Sequence, residues 1–173
     1  MNNERIIECI KKVHKGDKKA FAEMYDDLKT PIFTIIYRLT RNKEHSEDIL
    51  HDLFVKLYQS PPALSVNNPR AYIFQMARNL TLNSMRTLPM EGLNEDCIST
   101  DDSFSDSIAW QIDISEAMKK LPYDEVEIVS FHVYGEMKFR EISEMLQMPL
   151  GTVLWKYRTA VKKLRTYLNG GKL

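Results

Sequence analysis

The stretch from Lys138 to Leu168 constrains the fold most strongly, because it contains two amphipathic helical patterns separated by a proline. Residues 139–146 have the three-and-four spacing of a short helix with one apolar face. Pro149 cannot extend that helix, but it can begin a second, longer one. A short helix, a tight turn and a longer helix predict a helix-turn-helix unit, which typically places its second helix in the major groove of DNA.

The predicted second helix is basic as well as amphipathic. No acidic residue follows Glu144, whereas six lysines and arginines do. The residues predicted to face inward are Val153, Tyr157, Ala160, Val161, Leu164 and Leu168. Those predicted to face outward are Thr152, Trp155, Lys156, Thr159 and Lys163. A basic outer face favours a nucleic-acid contact, although an ordinary helical hairpin with a solvated basic face has the same pattern.

The charges divide the chain of 173 residues into three parts, although its formal net charge is zero. Residues 87–113 hold seven acidic and no basic residues, and they separate two mildly basic blocks. This strip is rich in Ser and Asp and lacks apolar periodicity until residue 108. We therefore predict an N-terminal domain at 1–86, a flexible acidic linker at 87–107 and a C-terminal domain at 108–173.

The remaining apolar patterns are all helical, so the predicted fold class is all-α with two domains. Predicted helices span residues 4–14, 18–28, 31–41, 43–59, 69–86, 108–121 and 122–134. Asp17 and Asn68 are predicted N-caps, and Pro31 is predicted to begin a new helix. Gly135 is predicted to end its helix in a left-handed conformation.

Several function classes lack the residues that they need. The chain has neither an apolar run that could span a membrane nor a signal peptide, and its two cysteines make no zinc or disulfide pattern. A cytoplasmic protein without cofactor, bound metal or small-molecule substrate is expected. One enzyme-like cluster, at His45, Asp48 and Asp52 with His51 nearby, leaves open a metal-dependent hydrolase, although such a cluster is more often a solvated polar face.

Three segments, taken in order, carry a family resemblance. They are SEDILHDLFVKLY at 46–58, PRAYIFQMARN at 69–79 and FREISEMLQMPLGTVLWKYRTAVKKLR at 139–165. Together they resemble RNA polymerase sigma factors of the extracytoplasmic-function type, whose region 2 and region 4 are joined by a linker. The resemblance covers about residues 18–86 and 110–168. It implies a subunit that binds core RNA polymerase and promoter DNA, with an anti-sigma factor as a further partner.

The resemblance also implies three sets of site residues. The residues that would dock on core polymerase are Asp48, His51, Asp52, Phe54 and Lys56. Those that would contact the −10 element are Asn67, Asn68, Tyr72, Arg78, Asn79, Asn83 and Arg86, with Asn67 and Asn68 where a flipped base is captured. Those that would contact the −35 element are Thr152, Leu154, Trp155, Lys156, Arg158, Thr159 and Lys163.

The chain departs from the family pattern in the segment that would contact the −35 element. Leu154, Lys156 and Thr159 stand where relatives often have basic residues, commonly arginine, so fewer bidentate contacts to guanine are expected. Trp155 could contact thymine methyl groups or pack beside its own helix. A free-standing helix-turn-helix regulator remains the alternative from the class of DNA-binding proteins.

Overall fold

The computed structural model describes residues 1–87 and 114–169, which form helices and loops without a β-strand. The helices are α1 (Asn3–Val13), α2 (Lys18–Thr40), α3 (Lys43–Gln59), α4 (Pro69–Thr87), α5 (described over 114–119), α6 (Tyr123–Val133), α7 (Phe139–Leu146) and α8 (Leu150–Leu168). They divide into an N-terminal unit, α1–α4, and a C-terminal unit, α5–α8. The all-α prediction is confirmed. Apart from Thr87, the predicted linker at 87–107 lies in residues 88–113, outside the described residues, and so does the predicted boundary between 107 and 108.

Helix α2 is the centre of the N-terminal unit, where it packs against α1, α3 and α4. Its buried face repeats at helical spacing through Ala20, Met24, Leu28, Ile32, Ile35, Ile36 and Leu39. Each large side chain on this face contributes roughly 1.5–3 kcal/mol by leaving water. The other three helices complete the core with Ile6 and Ile10, Leu53 and Leu57, and Ile73 and Phe74.

The predicted break at Pro31 is wrong, because α2 continues through it as one helix of 23 residues. A proline inside a helix removes one backbone hydrogen bond and costs about 3 kcal/mol. Leu28 and Ile32 lie on the same buried face on either side of the proline and are fully buried. Burial of this continuous face offsets the lost hydrogen bond, so packing overrides the local signal.

The two predicted N-caps are confirmed. Asp17 Oδ1 accepts hydrogen bonds from the backbone N–H groups of Lys19 and Ala20 at 2.9 and 3.2 Å. Asn68 Oδ1 accepts one from the N–H of Ala71 at 3.0 Å. Each side chain satisfies donors that have no partner within the first turn of a helix. The cap at Asn68 fixes where α4 begins.

In the C-terminal unit, α7 and α8 form the predicted helix-turn-helix and both pack against α6. Gln147 ends α7 in the left-handed region with φ of 54°, and Pro149 is the N-cap of α8. The Ser143 hydroxyl donates to the Met148 carbonyl at 2.6 Å and the Met148 N–H donates to the Ser143 carbonyl at 3.0 Å. These bonds hold the turn that sets the direction of α8.

An aromatic cluster joins the three helices of this unit. The ring centroids of His132 on α6 and Phe139 on α7 are 4.1 Å apart, and Phe139 is 4.9 Å from Tyr157 on α8. His132 Nδ1 also lies 2.9 Å from the Met137 carbonyl oxygen. The cluster therefore fixes α8 against the rest of the unit at its middle turn.

The predicted left-handed glycine at 135 is wrong. Glu136, not Gly135, has positive φ, at 51°. A Cβ on Gly135 would lie 2.5 Å from the carbonyl oxygen of Phe131. Glycine is required here because the chain passes close to the end of α6, and the left-handed turn follows one residue later.

None of the described helices is long and apolar enough to cross a membrane.

Candidate nucleic-acid interface

The outward face of α8 differs from the predicted one. Val153 and Ala160 are fully buried, which places the opposite face about half a turn around the helix from them. The exposed residues on that opposite face are Gly151, Trp155, Arg158, Lys162 and Arg165. Of the predicted outward set only Trp155 lies here. The predicted outward face lies about a quarter turn around the helix axis from the observed one, because the prediction included the flank of α8 that faces α6.

Ion pairs explain why that flank is not outward. Lys156 forms a salt bridge with Asp124, and Lys163 Nζ lies 2.6 Å from Glu125 Oε1. Both acidic residues are in the first turn of α6, where carboxylates also face the positive end of the helix dipole. Thr152 and Thr159 lie on the same half-buried flank. Lys156 and Lys163 are thus held within the unit.

The contact with Lys156 stabilises the ionised form of the Asp124 carboxyl group. Its hydrogen bond to Lys156, followed by the Coulomb attraction of that ammonium group, holds the pKa of Asp124 below its ordinary value. Burial acts in the opposite direction and is outweighed. The carboxylate is therefore ionised near neutral pH and balances the charge of Lys156.

Two basic residues on α8, Lys162 and Arg165, were missed by the sequence prediction. Both are exposed and continue the face of Trp155 and Arg158 at spacings of three and four. If only Val153 and Ala160 had been taken as the inward face of α8, the opposite face would have included Lys162 and Arg165. The partners of Lys156 and Lys163 lie 32 and 38 residues earlier, so no local pattern in α8 indicates them.

The two aromatic residues of helix α4 differ in their exposure to solvent. Phe74 is fully buried, whereas Tyr72 is 39% exposed. A surface cleft of about 320 Å³ lies beside Tyr72, between α4 and the end of α3. Its lining residues are Lys56, Tyr72, Gln75, Met76, Asn79, Leu80 and Asn83. The structure thus brings together three of the predicted −10 residues and adds Lys56, which the prediction had assigned to polymerase docking.

The other predicted −10 residues are more dispersed. Asn67 is exposed in the loop before α4, while the side-chain oxygen of Asn68 caps that helix. Arg78 is half-buried and Arg86 is exposed near the end of α4. The neighbouring Arg70 is only 8% exposed. Its guanidinium donates to the Met1 carbonyl and lies 5.3 Å from the centroid of the Phe74 ring, so it stabilises the fold.

The predicted docking residues on α3 fall on two sides of that helix. Asp48, His51 and Asp52 are exposed, whereas Phe54 is only 5% exposed. Phe54 contributes to the wall of a groove of about 530 Å³ between α2 and α3. The lining residues are Phe21, Tyr25, Glu47, Leu50, His51, Phe54, Val55, Tyr58 and Gln59.

The aromatic rings in this groove contact one another edge to face. The centroid of Phe54 is 4.6 Å from that of Tyr25, and the centroid of Phe21 is 5.0 Å from that of Tyr58. Tyr25 and Tyr58 remain 37% and 49% exposed. The groove therefore offers a partly exposed aromatic surface next to the carboxylates of α3.

The cluster at His45 does not assemble into a metal site. Within residues 1–87 and 114–169, no group of three or more His, Cys, Asp or Glu side chains could hold a metal ion. His45 Nε2 is 2.8 Å from the Ser84 hydroxyl oxygen, a contact that joins α3 to α4. The residues described thus give no support to the hydrolase alternative.

Comparison with known proteins shows which family shares these features. Residues 24–88 match the family described as Sigma-70 region 2. The chain is 27% identical over 181 residues to the ECF RNA polymerase sigma factor SigW of Bacillus subtilis, covering 94% of this chain and 96% of SigW. It is 22% identical over 171 residues to the ECF RNA polymerase sigma factor SigK of Mycobacterium tuberculosis strain H37Rv, covering 92% and 91%.

Two solved structures share the fold. CnrH, in complex with the cytosolic domain of CnrY, superposes with a TM-score of 0.67 over 97% of this chain and 99% of CnrH. The sigma factor RpoE from Bartonella quintana, in complex with the anti-sigma factor NepR, gives 0.66 over 89% and 99%. Both are 16% identical in sequence, so the likeness is one of fold.

Proposed function

Because the chain belongs to the extracytoplasmic-function sigma factors, we propose that it binds core RNA polymerase and directs it to promoters through separate −10 and −35 contacts. The observation that carries this proposal is the pair of surfaces on two different units. One is a polar cleft on α4 lined by Tyr72, Asn79 and Asn83, and the other is the basic outer face of α8. A specificity subunit of this kind acts in the cytoplasm and is not itself an enzyme.

Core polymerase docks on α3 and the adjoining aromatic groove. Asp48, His51 and Asp52 supply an exposed, charged face, and the half-exposed rings of Tyr25 and Tyr58 supply apolar area beside it. Aromatic residues at the centre of an interface with charges near its rim are typical of stable protein contacts. Phe54 supports this surface from beneath, because its ring packs against those of Tyr25 and Phe21.

The α4 cleft holds a base of the −10 element once the duplex opens. Tyr72 offers an aromatic face for stacking, and Asn79 and Asn83, one helical turn apart, offer amide groups to base edges. Lys56 adds a positive charge at the same cleft for the phosphate backbone. Asn67, Arg78 and Arg86 extend the path of the strand along the loop and the helix, while Asn68 mainly positions the helix start.

The −35 element is contacted by the outward face of α8. Leu154, Trp155 and Arg158 lie in its first turns, the part of a recognition helix that reaches base edges. Lys162 and Arg165 lie farther along the same exposed face, where side chains meet phosphate. Thr152 and Thr159 are placed at the edge of this surface, and Lys156 and Lys163 stabilise its position through α6.

An anti-sigma factor is a further proposed partner. The Bartonella quintana neighbour is bound to one in its solved structure, and that neighbour is aligned over most of this chain. A protein that covers the aromatic groove or the α8 face would prevent the proposed contacts with polymerase and promoter.

Reconstitution with core RNA polymerase tests the function. The full chain should co-elute with core enzyme on size exclusion and support run-off transcription from a subset of fragments in a genomic library. A free-standing regulator would instead bind duplex without polymerase and with a steep dependence on salt. Failure to join core enzyme, or the absence of any specific transcript, would overturn the proposal.

A further inference from the structure

Trp155 is the most exposed large hydrophobic side chain among the described residues, at 62%. Leu150, at the start of α8, is 37% exposed, and Leu154, one turn after Leu150 and next to Trp155 in the chain, is half-buried. This exposure favours a contact with DNA over packing of the indole beside its own helix. The start of α8 therefore presents an apolar patch to the outside.

Exposed basic residues follow this patch along α8. Arg158 lies one turn beyond Trp155, and Lys162 lies about one turn beyond Arg158. In contrast, Lys156 and Lys163 face α6, where Asp124 and Glu125 bind them. The patch therefore has basic residues near it, as a DNA-binding surface does. Residues 150–155 themselves contain no lysine or arginine that could donate a hydrogen bond to a base.

Major-groove chemistry identifies what such a patch would contact. The 5-methyl group of thymine is the apolar feature that a base edge presents there, whereas guanine is usually bound by the forked donors of arginine or by lysine. Only Arg158 among the exposed residues near the start of α8 offers such a fork. Lys156, which is paired with Asp124, also has its Nζ 5.9 Å from the centroid of the Trp155 ring. Its positive charge therefore lies at the edge of the patch.

We propose that Trp155, with Leu154, selects the −35 element by burying thymine methyl groups, and that Arg158 supplies the adjacent polar contact. This inference rests on the proposed −35 role of α8. It assigns the specificity of this helix to apolar contacts with thymine rather than to several guanine contacts.

Substitution of uracil for thymine tests the inference, because uracil lacks only the methyl group. The probe is a promoter duplex obtained from the run-off experiment, with thymine or uracil at the −35 element, bound by the reconstituted holoenzyme. Burial of one methyl group predicts about a fourfold loss of affinity for each contacted thymine. Trp155→Ala should bind both duplexes with the same affinity, close to that of the unsubstituted chain for uracil.

Two variants serve as controls. Arg158→Ala should weaken binding to both duplexes while leaving the ratio of thymine to uracil affinity unchanged. Tyr167→Ala removes an exposed aromatic residue about 18 Å farther along the same helix, and should change neither affinity nor ratio. Unfolding curves for Trp155→Ala should match those of the unsubstituted chain, because the indole is mostly exposed.

The possible outcomes separate the two proposals. Equal affinity of the unsubstituted holoenzyme for thymine and uracil duplexes, or an unchanged ratio in Trp155→Ala, would overturn the thymine inference while transcription itself persists. Absence of transcription from both templates would overturn the proposed function instead.

Discussion

Lys163 Nζ lies 2.6 Å from Glu125 Oε1, and the Glu125 side chain is only 6% exposed. A carboxylate so nearly buried needs a partner, because leaving it unpaired costs more than the pair itself contributes. The second oxygen of Glu125, Oε2, is buried without a hydrogen bond. Lys163 is therefore the main compensation for a charge at the start of α6.

Loss of this partner should destabilise the C-terminal unit. Lys163→Ala is expected to lower the free energy of unfolding by about 2 kcal/mol, less than for a fully buried pair because Lys163 remains 37% exposed. Arg165→Ala, which removes an exposed basic residue from the same helix, should change it by no more than about 0.5 kcal/mol. Urea unfolding of both variants measures the difference. Equal effects would show that Lys163 is an ordinary surface lysine.

The Asp124–Lys156 pair should make stability depend on pH. Lys156 lowers the pKa of Asp124, so the folded chain keeps this carboxylate ionised where the unfolded chain binds a proton. The resulting stability is present above the unfolded pKa of about 3.9 and is lost as pH falls through the lower folded value. Asp124→Asn should remove this part of the acid dependence. Thermal unfolding from pH 6 to pH 2.5 would reveal it as a smaller loss of Tm in the variant.

Two glycines should respond oppositely to alanine. A Cβ on Gly135 would lie 2.5 Å from the Phe131 carbonyl oxygen, whereas one on Gly151 would meet nothing within 4 Å. Gly135→Ala is expected to destabilise the chain by about 1–3 kcal/mol, because the backbone must move. Gly151→Ala should be neutral or stabilise it by about 0.5 kcal/mol, since the helix gains a better former. Chemical denaturation of both variants checks the contrast, and a tolerated alanine at 135 would contradict it.

The sequence predicted the features that depend on local signals. Asp17, Asn68 and the turn at Pro149 were identified because caps and proline act within a few residues. The fold and the helix-turn-helix followed from apolar spacing. Pro31 was wrongly predicted to begin a new helix. The burial of side chains on both sides of it outweighs the cost of the proline, and that burial depends on tertiary packing. The direction of Lys156 could not be predicted either, because its partner is on another helix, 32 residues away.

The same distinction applies to the candidate site. Tyr72 and Phe74 lie only two residues apart on α4, and only the packing of this helix against the core determines which ring is exposed and which is buried. Lys56 was placed with the docking residues because it shares their helix. The structure puts it beside Asn79 and Asn83 because α4 passes the end of α3.

Reversal of charge on α3 tests the proposed docking face. Asp48 is exposed, so Asp48→Arg should leave the fold intact. It should nevertheless reduce association with core polymerase by at least about tenfold, since like charges at an interface cost more than 1 kcal/mol. Asp27→Arg, an equal change on the side of α2 away from Tyr25, is the matched control. Co-elution of Asp48→Arg with core enzyme at the unsubstituted level would show that docking uses another face.

The α4 cleft and the α8 face should fail in different ways when altered. Asn79 is exposed and lines the cleft, so Asn79→Ala should remove the proposed base contact without disturbing the core. Loss of a hydrogen bond worth about 1 kcal/mol predicts roughly fivefold weaker promoter opening. Binding of the duplex −35 element should be unchanged, because the proposed −35 contact is made by the other unit.

A template that is already melted at −10 separates the two defects. Extrusion of a base from the stack costs a few kcal/mol, and a pre-melted bubble removes most of that cost. The bubble should therefore partly rescue Asn79→Ala but not Arg158→Ala, whose defect lies in closed-complex binding. Permanganate footprinting on intact and bubble templates measures opening for both variants. If Asn79→Ala opens the intact promoter normally, or loses −35 binding as Arg158→Ala does, then the cleft and the recognition helix do not divide the promoter between them.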